Sequence, residues 1–214
     1  MGKELTLTVP RRHILAAMLA VSNEESRPVL NHIAFQSAPN GGLRIVATSG
    51  YELVAMTGGK AEGTWPRDGA NRRSVLLAPD ALPKKRTLRL LDKPVTIVVN
   101  GTARVVDPHT DFESETEPCP GPYPKWEKVM GGMKHPVAKE PLRINAAKLN
   151  GFLTMGERFA PRKRNHAVDV TFRQRDAKDE YCMVTMEATR EDWNAGEEHQ
   201  TCTLQAMLMG LRKH

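Results

Sequence analysis

The chain is poor in cysteine, in aromatics and in long apolar runs, and each shortage rules something out. Its three cysteines, Cys119, Cys182 and Cys202, are an odd number with no CxxC spacing. That argues against a disulfide framework and against a zinc ribbon. Aromatic residues are only 5% of the 214 residues, so the core must be built from Leu, Ile, Val, Ala and Met. No run is long and apolar enough to span a bilayer. The N-terminal KELTLTV enters a strand pattern directly, without the features of a signal peptide. A cytoplasmic location with no membrane contact is the expectation. Also missing are a nucleophile elbow, a phosphate-cradling glycine loop and a metal-ligand pair on a helix. Gly41-Gly42 reads as a hairpin turn, and His13 and His32 as surface or hydrogen-bonded residues. No enzyme activity, cofactor or metal is expected.

What is present is ordinary in balance and distinctive in order. Hydrophobic residues are 40% and charged residues 26%, typical of a globular chain of one large or two small domains. The formal charge of +6 favours polyanion partners. Leu5, Leu7 and Val9 alternate as a strand. Pro10 then opens a helix with Ile14, Leu15, Met18, Leu19 and Val21 on its buried side. Arg12, His13, Ala16, Ala17 and Ala20 form its small, mildly basic outer face. Arg27-Pro28 ends that element, since proline lacks an N–H and pushes its neighbour into an extended conformation. Val29, Leu30, Ile33 and Phe35 form a β-prone run, residues 39–42 (PNGG) a hairpin turn, and Leu43, Ile45 and Ala47 a second strand. A third strand runs from Leu53 to Met56. The unit is β-α-β-β-β.

Residues 60–73 read as a connector. A second unit begins at residues 74–78; Pro79 opens its helix and Pro83 breaks it almost at once. Lys84, Lys85 and Arg86 follow, then strands marked by Leu88, Leu90, Val95, Ile97, Val99, Val105 and Phe112. Asp111, Glu113, Glu115 and Glu117 line one face of the last strand. This reads as a solvated edge and not a metal site, because side chains two apart on a strand splay along it. Residues 118–141, rich in Pro and Gly, read as a domain boundary. The first unit then recurs. Its helix has Leu149, Phe152, Leu153, Met155 and Phe159 on the buried side and Asn150, Thr154 and Arg158 facing out. Residues 164–172 stand where 27–35 stood, and a last strand covers 201–211. Two units make a domain over residues 1–133, and the third, residues 140–214, makes half of another. Arg158 with Arg162, Lys163 and Arg164 is the densest basic cluster, either a solvated loop or a phosphate contact.

Four segments in this order resemble the bacterial DNA sliding clamps, the β subunit of DNA polymerase III. Arg27-Pro28-Val29-Leu30 resembles the Arg-Pro-x-Leu entry to the family's hairpin. Residues 43–53 (LRIVATSGYEL) resemble its Leu-x-x-Val-Ala-Thr-Asp-Gly-His-Arg-Leu signature. Val75-Leu76-Leu77-Ala78-Pro79 resembles the entry to its second helix. Residues 123–130 (YPKWEKVM) resemble the (Phe/Tyr)-Pro-Asp-Tyr-x-x-Val segment that closes its middle domain.

The resemblance implies an α+β DNA-clamp fold of β-α-β-β-β half-domains, about one and a half clamp domains in all. Helices would line a central hole and sheets the outer wall. It implies a processivity factor that tethers a DNA polymerase or other replication protein to duplex DNA. The partners would be DNA, a polymerase or clamp loader, and further copies of the chain, since an unpaired half-domain exposes apolar surface. The alternative is a non-encircling clamp-derived interaction module, mobile-element or prophage encoded. The DNA contacts would be Arg12, Arg158, Arg162, Lys163 and Arg164. The family's pocket for partner peptides maps onto Leu30, Thr48, Gly50, Tyr51, Leu53, Pro124, Lys128 and Val129. Ser49, Tyr51 and Glu52 replace the usual Asp, His and Arg, and Glu52 adds negative charge at the rim. Met207 and Met209 lie on a strand similar to the Met-rich one that completes this pocket, but are not counted in it.

Overall fold

A computed structural model of the chain describes residues 4–39, 41–67, 73–131, 146–159, 169–173, 181–194 and 199–212. The alternation at the start becomes strand β1 (Leu5–Pro10), with Leu5, Leu7 and Val9 fully buried. Helix α1 (Arg11–Ala17) follows, entered from the extended Pro10. The hairpin is β2 (Ile33–Ser37) and β3 (Leu43–Thr48), continued antiparallel by β4 (Glu52–Thr57). Gly41 adopts φ +81° in the β2–β3 turn, a left-handed conformation that glycine takes without steric cost. Val29 and Leu30 do not belong to the strand as expected. They form a 3-10 turn (Pro28–Asn31), since Pro28 presets the turn's φ and His32 Nδ1–H donates to Pro28 O at 2.7 Å.

The expected connector also contains a strand, β5 (Lys60–Gly63), paired with β1. β6 (Ser74–Leu77) opens the second unit and pairs with β2. The helix after it is reduced to a 3-10 turn at Pro79–Ala81, as the break at Pro83 predicts. Leu88 and Leu90, expected on a strand, instead form a second 3-10 turn, and the strand begins only at Pro94. β7 (Pro94–Asn100), β8 (Thr102–Val106) and β9 (Glu113–Thr116) complete it. A short helix α2 (Trp126–Met130) follows. The described part of the third unit is helix α3 (Ala146–Phe159) and strands β10 (Asp169–Arg173), β11 (Tyr181–Asn194) and β12 (His199–Arg212).

Two antiparallel sheets result, in the orders β5-β1-β7-β8-β9 and β10-β11-β12-β4-β3-β2-β6. The first two units exchange their opening strands: β1 lies beside β7, and β6 beside β2. The third unit joins edge to edge through β12 and β4, so one seven-stranded sheet crosses the seam. The larger apolar core runs through both sheets and helices α1 and α3. It takes in Ile14, Phe35, Met56 and Ile97 together with Phe152, Met155, Phe159 and Leu204.

Two helix faces differ from expectation. Every residue of α1 is buried, including Arg12, His13, Ala16 and Ala17. The small face does permit close approach of something large, but that partner is α3, whose Phe159 stacks on His13 at 5.0 Å. Met18, Leu19 and Val21 are the half-exposed residues instead. On α3, Phe152, Met155 and Phe159 are buried as expected, but Leu153 is 41% exposed.

A buried ion pair fixes the second unit to α1. Arg11 and Asp107, both with side chains at 0% exposure, bond through Arg11 Nη2 and Asp107 Oδ2. Asp107 also accepts from Thr110 Oγ1 (2.6 Å) and from the His109 N–H (3.1 Å). Burial pushes the Asp107 carboxyl up, but the bonds from Thr110, Arg11 and His109 and the charge of Arg11 outweigh it, so its pKa lies below the usual carboxylate range.

Candidate functional site

The family-like segments meet on the outer face of the seven-stranded sheet. Strand pairing aligns Thr48, Leu53, Met207 and Thr185 in one row across β3, β4, β12 and β11. A parallel row holds Leu76, Ala34, Val46 and Ala55. Residues 118–130, within the stretch 118–141 expected to be a domain boundary, form a strap over this face. The Cys119 N–H donates to Leu76 O at 2.9 Å. Tyr123 and Trp126 are buried against Ala34, Val46, Leu53, Ala55 and Leu76 as a second core. Burial pushes the Tyr123 phenol up, opposed in part by a hydrogen bond with the Thr48 backbone. Trp126 Nε1–H donates to Gln36 Oε1 at 3.0 Å, and Arg44 lies 5.0 Å over its ring. Both contacts give Trp126 a fixed seat.

The turn above this core is built by short side chains. Thr48 Oγ1 donates to Glu52 O (2.7 Å) and accepts from the Gly50 N–H (3.0 Å), while Ser49 Oγ accepts from the Glu52 N–H (3.1 Å). Gly50 has φ +91°, and a Cβ there would meet Arg27 Nη1 at 3.0 Å. The turn lifts Tyr51 into solvent, 57% exposed.

Seven of the eight expected peptide-pocket residues divide into two groups, with Leu30 apart from both. Thr48 and Leu53 are buried beneath Tyr123, with Gly50 and Tyr51 exposed above them. Pro124, Lys128 and Val129 are exposed. Lys128 and Val129 lie on α2, whose Trp126 is anchored at Gln36 and Arg44. Arg44 is four residues down β3 from Thr48, roughly 13 Å at the rise of a strand. Leu30, half-buried in its 3-10 turn, accepts from the Ser22 N–H at 3.0 Å. Met207 is buried and stands opposite Leu53 in register. Only the pairing of β12 with β4, which no local pattern encodes, brings it there.

The expected DNA contacts behave differently. Arg12 is 4% exposed and does not face out: its Nε donates to Asp92 Oδ1 (2.7 Å) and its Nη2 to Asp92 Oδ2 (3.2 Å). Arg158 is half-buried and donates from Nη1 to Leu15 O at 2.8 Å, while Arg12 Nη1 donates to Arg158 O at 3.5 Å. The two arginines thus lace α1 to α3. Burial and the charge of Arg86 lower the Arg158 pKa, against the pull of Glu157. Arg162, Lys163 and Arg164 lie outside the described residues.

Elsewhere, a cleft of about 480 Å³ opens beside Val75, Leu76, Val99, Pro118 and Cys119. Burial raises the Cys119 thiol pKa, the reverse of what activates a nucleophile. The acidic strand β9 is the edge it was expected to be: Glu113 pairs with Arg104 (2.6 Å) and Glu115 accepts from Thr102 (2.9 Å). Among the described residues no group of three or more His, Cys, Asp or Glu could hold a metal ion. None of their helices is long and apolar enough to cross a membrane.

No protein-family model and no curated protein matches the chain. Among solved structures it is similar to bacterial DNA sliding clamps. For the DNA polymerase sliding clamp of Caulobacter crescentus, identity is 16% and the TM-score 0.45, over all of this chain and 52% of that one. The DnaN sliding clamp (DNA polymerase III subunit beta) of Bartonella birtlesii gives 18% identity and a TM-score of 0.45, over 98% of this chain and 52% of that one. The β subunit of DNA polymerase III from Thermotoga maritima gives 11% and 0.44, over 98% of this chain and 65% of that one. The likeness is one of fold: two antiparallel sheets in an α+β chain matching about half of a sliding clamp. The chain spans 52–65% of the length of these clamps.

Proposed function

We propose that the protein is a clamp-like DNA tether, with residues 1–133 as one clamp domain and 140–214 as half of another, holding a DNA polymerase or other replication protein at duplex DNA. The observation that carries this reading is the seven-stranded sheet that crosses from the first unit into the third. Edge-to-edge pairing lets strand-bearing units extend a wall without a new side-chain interface for each junction, because backbone groups supply the bonds. Of the four sequence segments that resemble sliding clamps, residues 43–53 and 75–79 run along or into strands of this sheet and 123–130 lie in its outer strap, while 27–30 form the 3-10 turn that leads into β2. β10 is the outermost strand of the sheet among the described residues, and a further copy of the chain pairing there is the natural continuation.

The test is retention of the purified protein on nicked circular duplex against the same duplex linearised. A ring releases linear DNA by sliding off, so circular-only retention at high salt is expected. Equal retention on both, or none on either, sinks the encircling tether. A sedimentation mass equal to one chain at micromolar concentration sinks the self-association.

The second reading, a non-encircling module that docks replication proteins, is favoured by one observation. Tyr51 and Val129 are large apolar residues left exposed on the outer face, at 57% and 40%. Loss of clamp-partner peptide binding in Tyr51→Ala, with DNA retention absent in the parent protein, would select it.

A further inference from the structure

We infer that the phosphate contacts of this protein are carried by the loop that replaces the second unit's helix, through Lys85, Arg86, Arg89 and Lys93. This deepens the DNA-tether reading and rests on it. Three observations lead here.

First, the helix arginines are spent on holding that loop. Arg11 Nη1 donates to Lys85 O at 3.5 Å, the Arg12 N–H donates to Leu91 O at 3.2 Å, and the Arg12 guanidinium grips Asp92. Leu82, Leu90 and Leu91 are buried beneath the loop. The loop is therefore a seated element, with its backbone tied down and its long cationic side chains outward.

Second, its charges are not neutralised. Lys84, Lys85, Arg86, Arg89 and Lys93 are all exposed. The two carboxylates within residues 79–93 are already engaged, Asp80 by Lys84 and Asp92 by Arg12. Lys85, Arg86, Arg89 and Lys93 form no ion pair among the described residues. Arg86 even stands close enough to Arg158 to disfavour that residue's charge. A patch that keeps like charges together is stabilised by an incoming polyanion.

Third, the chemistry of the patch fits a duplex backbone. There is no aromatic residue between Trp65 and Phe112, so the loop offers no platform on which unpaired bases could stack. Cations without aromatic neighbours hold phosphates and read no sequence, which is what movement along DNA requires.

The test is fluorescence anisotropy of a labelled 30-bp duplex titrated with the full chain at several salt concentrations. The variants are Lys85→Glu/Arg86→Glu/Arg89→Glu and, in parallel, Arg162→Glu/Lys163→Glu/Arg164→Glu. The loop variant should lose on the order of tenfold or more in affinity, and the slope of log K against log salt should shrink by about 2–3. Arg86→Glu alone should raise the melting temperature by placing a carboxylate near Arg158 while weakening DNA binding, an opposition that a misfolded variant cannot produce. If the parent binds with a steep salt dependence and the loop variant binds equally well, the inference is wrong while the tether reading stands. No salt-dependent binding by the parent overturns both. Displacement of the duplex by polyglutamate at equal charge concentration overturns the nucleic-acid assignment in favour of an acidic protein partner.

Discussion

Asp107→Ala should destabilise the fold by about 3–5 kcal/mol, the usual cost of stranding one half of a buried ion pair. The structure makes this site a severe case. The Arg11 and Asp107 side chains are both fully buried, so water cannot reach the guanidinium left behind. For a domain of this size the loss corresponds to a fall in melting temperature of roughly 6–20 °C. The double variant Arg11→Met/Asp107→Leu removes both charges and fills their volume. It leaves the Thr110 hydroxyl and the His109 N–H without their acceptor and Lys85 O without the Arg11 donor, about 0.5–1.5 kcal/mol each. It should therefore be more stable than Asp107→Ala alone. Thermal unfolding of the four corners of this cycle measures the coupling. A single-variant cost below about 1 kcal/mol, or a double variant no better than the sum of the singles, would refute the reasoning. The pair also sets an acid response. Because the folded Asp107 pKa is lowered, its contribution is present above the unfolded value of about 3.9 and is lost as pH falls through the folded value. Asp107→Asn should flatten that part of the stability–pH curve below about pH 4.

Other substitutions test other parts of the fold. Phe159→Ala, which removes a fully buried ring stacked on His13, should cost about 3–5 kcal/mol and speed hydrogen exchange in α3 ahead of β7 and β8. Uniform acceleration across the chain would mean that α3 does not open separately. Gly63→Ala should cost more than Gly41→Ala: both have positive φ, but a Cβ at Gly63 would lie 1.9 Å from Glu4 O, whereas at Gly41 nothing lies within 4 Å. Equal melting temperatures would show that the β1–β5 edge yields freely. Trp126→Phe keeps most of the packing and loses the bond to Gln36, so about 0.5–1.5 kcal/mol is expected. A larger loss, measured by urea unfolding, would point to the cation–π contact with Arg44 as the greater part.

The sequence by itself determined the local units. Alternation at Leu5, Leu7 and Val9, the hairpin turn between β2 and β3 and the break at Pro83 each depend on neighbours a few positions away, and each is where it was expected. Pattern alone cannot say what covers a face. The run of small residues at Ala16, Ala17 and Ala20 was legible as a surface for close approach, but tertiary structure decided that α3 occupies it. That decision turned Arg12 and Arg158 inward, because a guanidinium at a helix junction is stabilised by carbonyls and a carboxylate within reach. The same holds for residues 118–141, whose proline and glycine content reads as a domain boundary although Tyr123 and Trp126 within it pack on the outer face of the sheet. Met207 beside Leu53, and the loop cations left over once Arg11 and Arg12 have anchored it, follow from contacts 74 to 154 residues apart along the chain. Periodicity sees a residue and its near neighbours. Which cations remain free for a partner is settled only after long-range packing has paired the others.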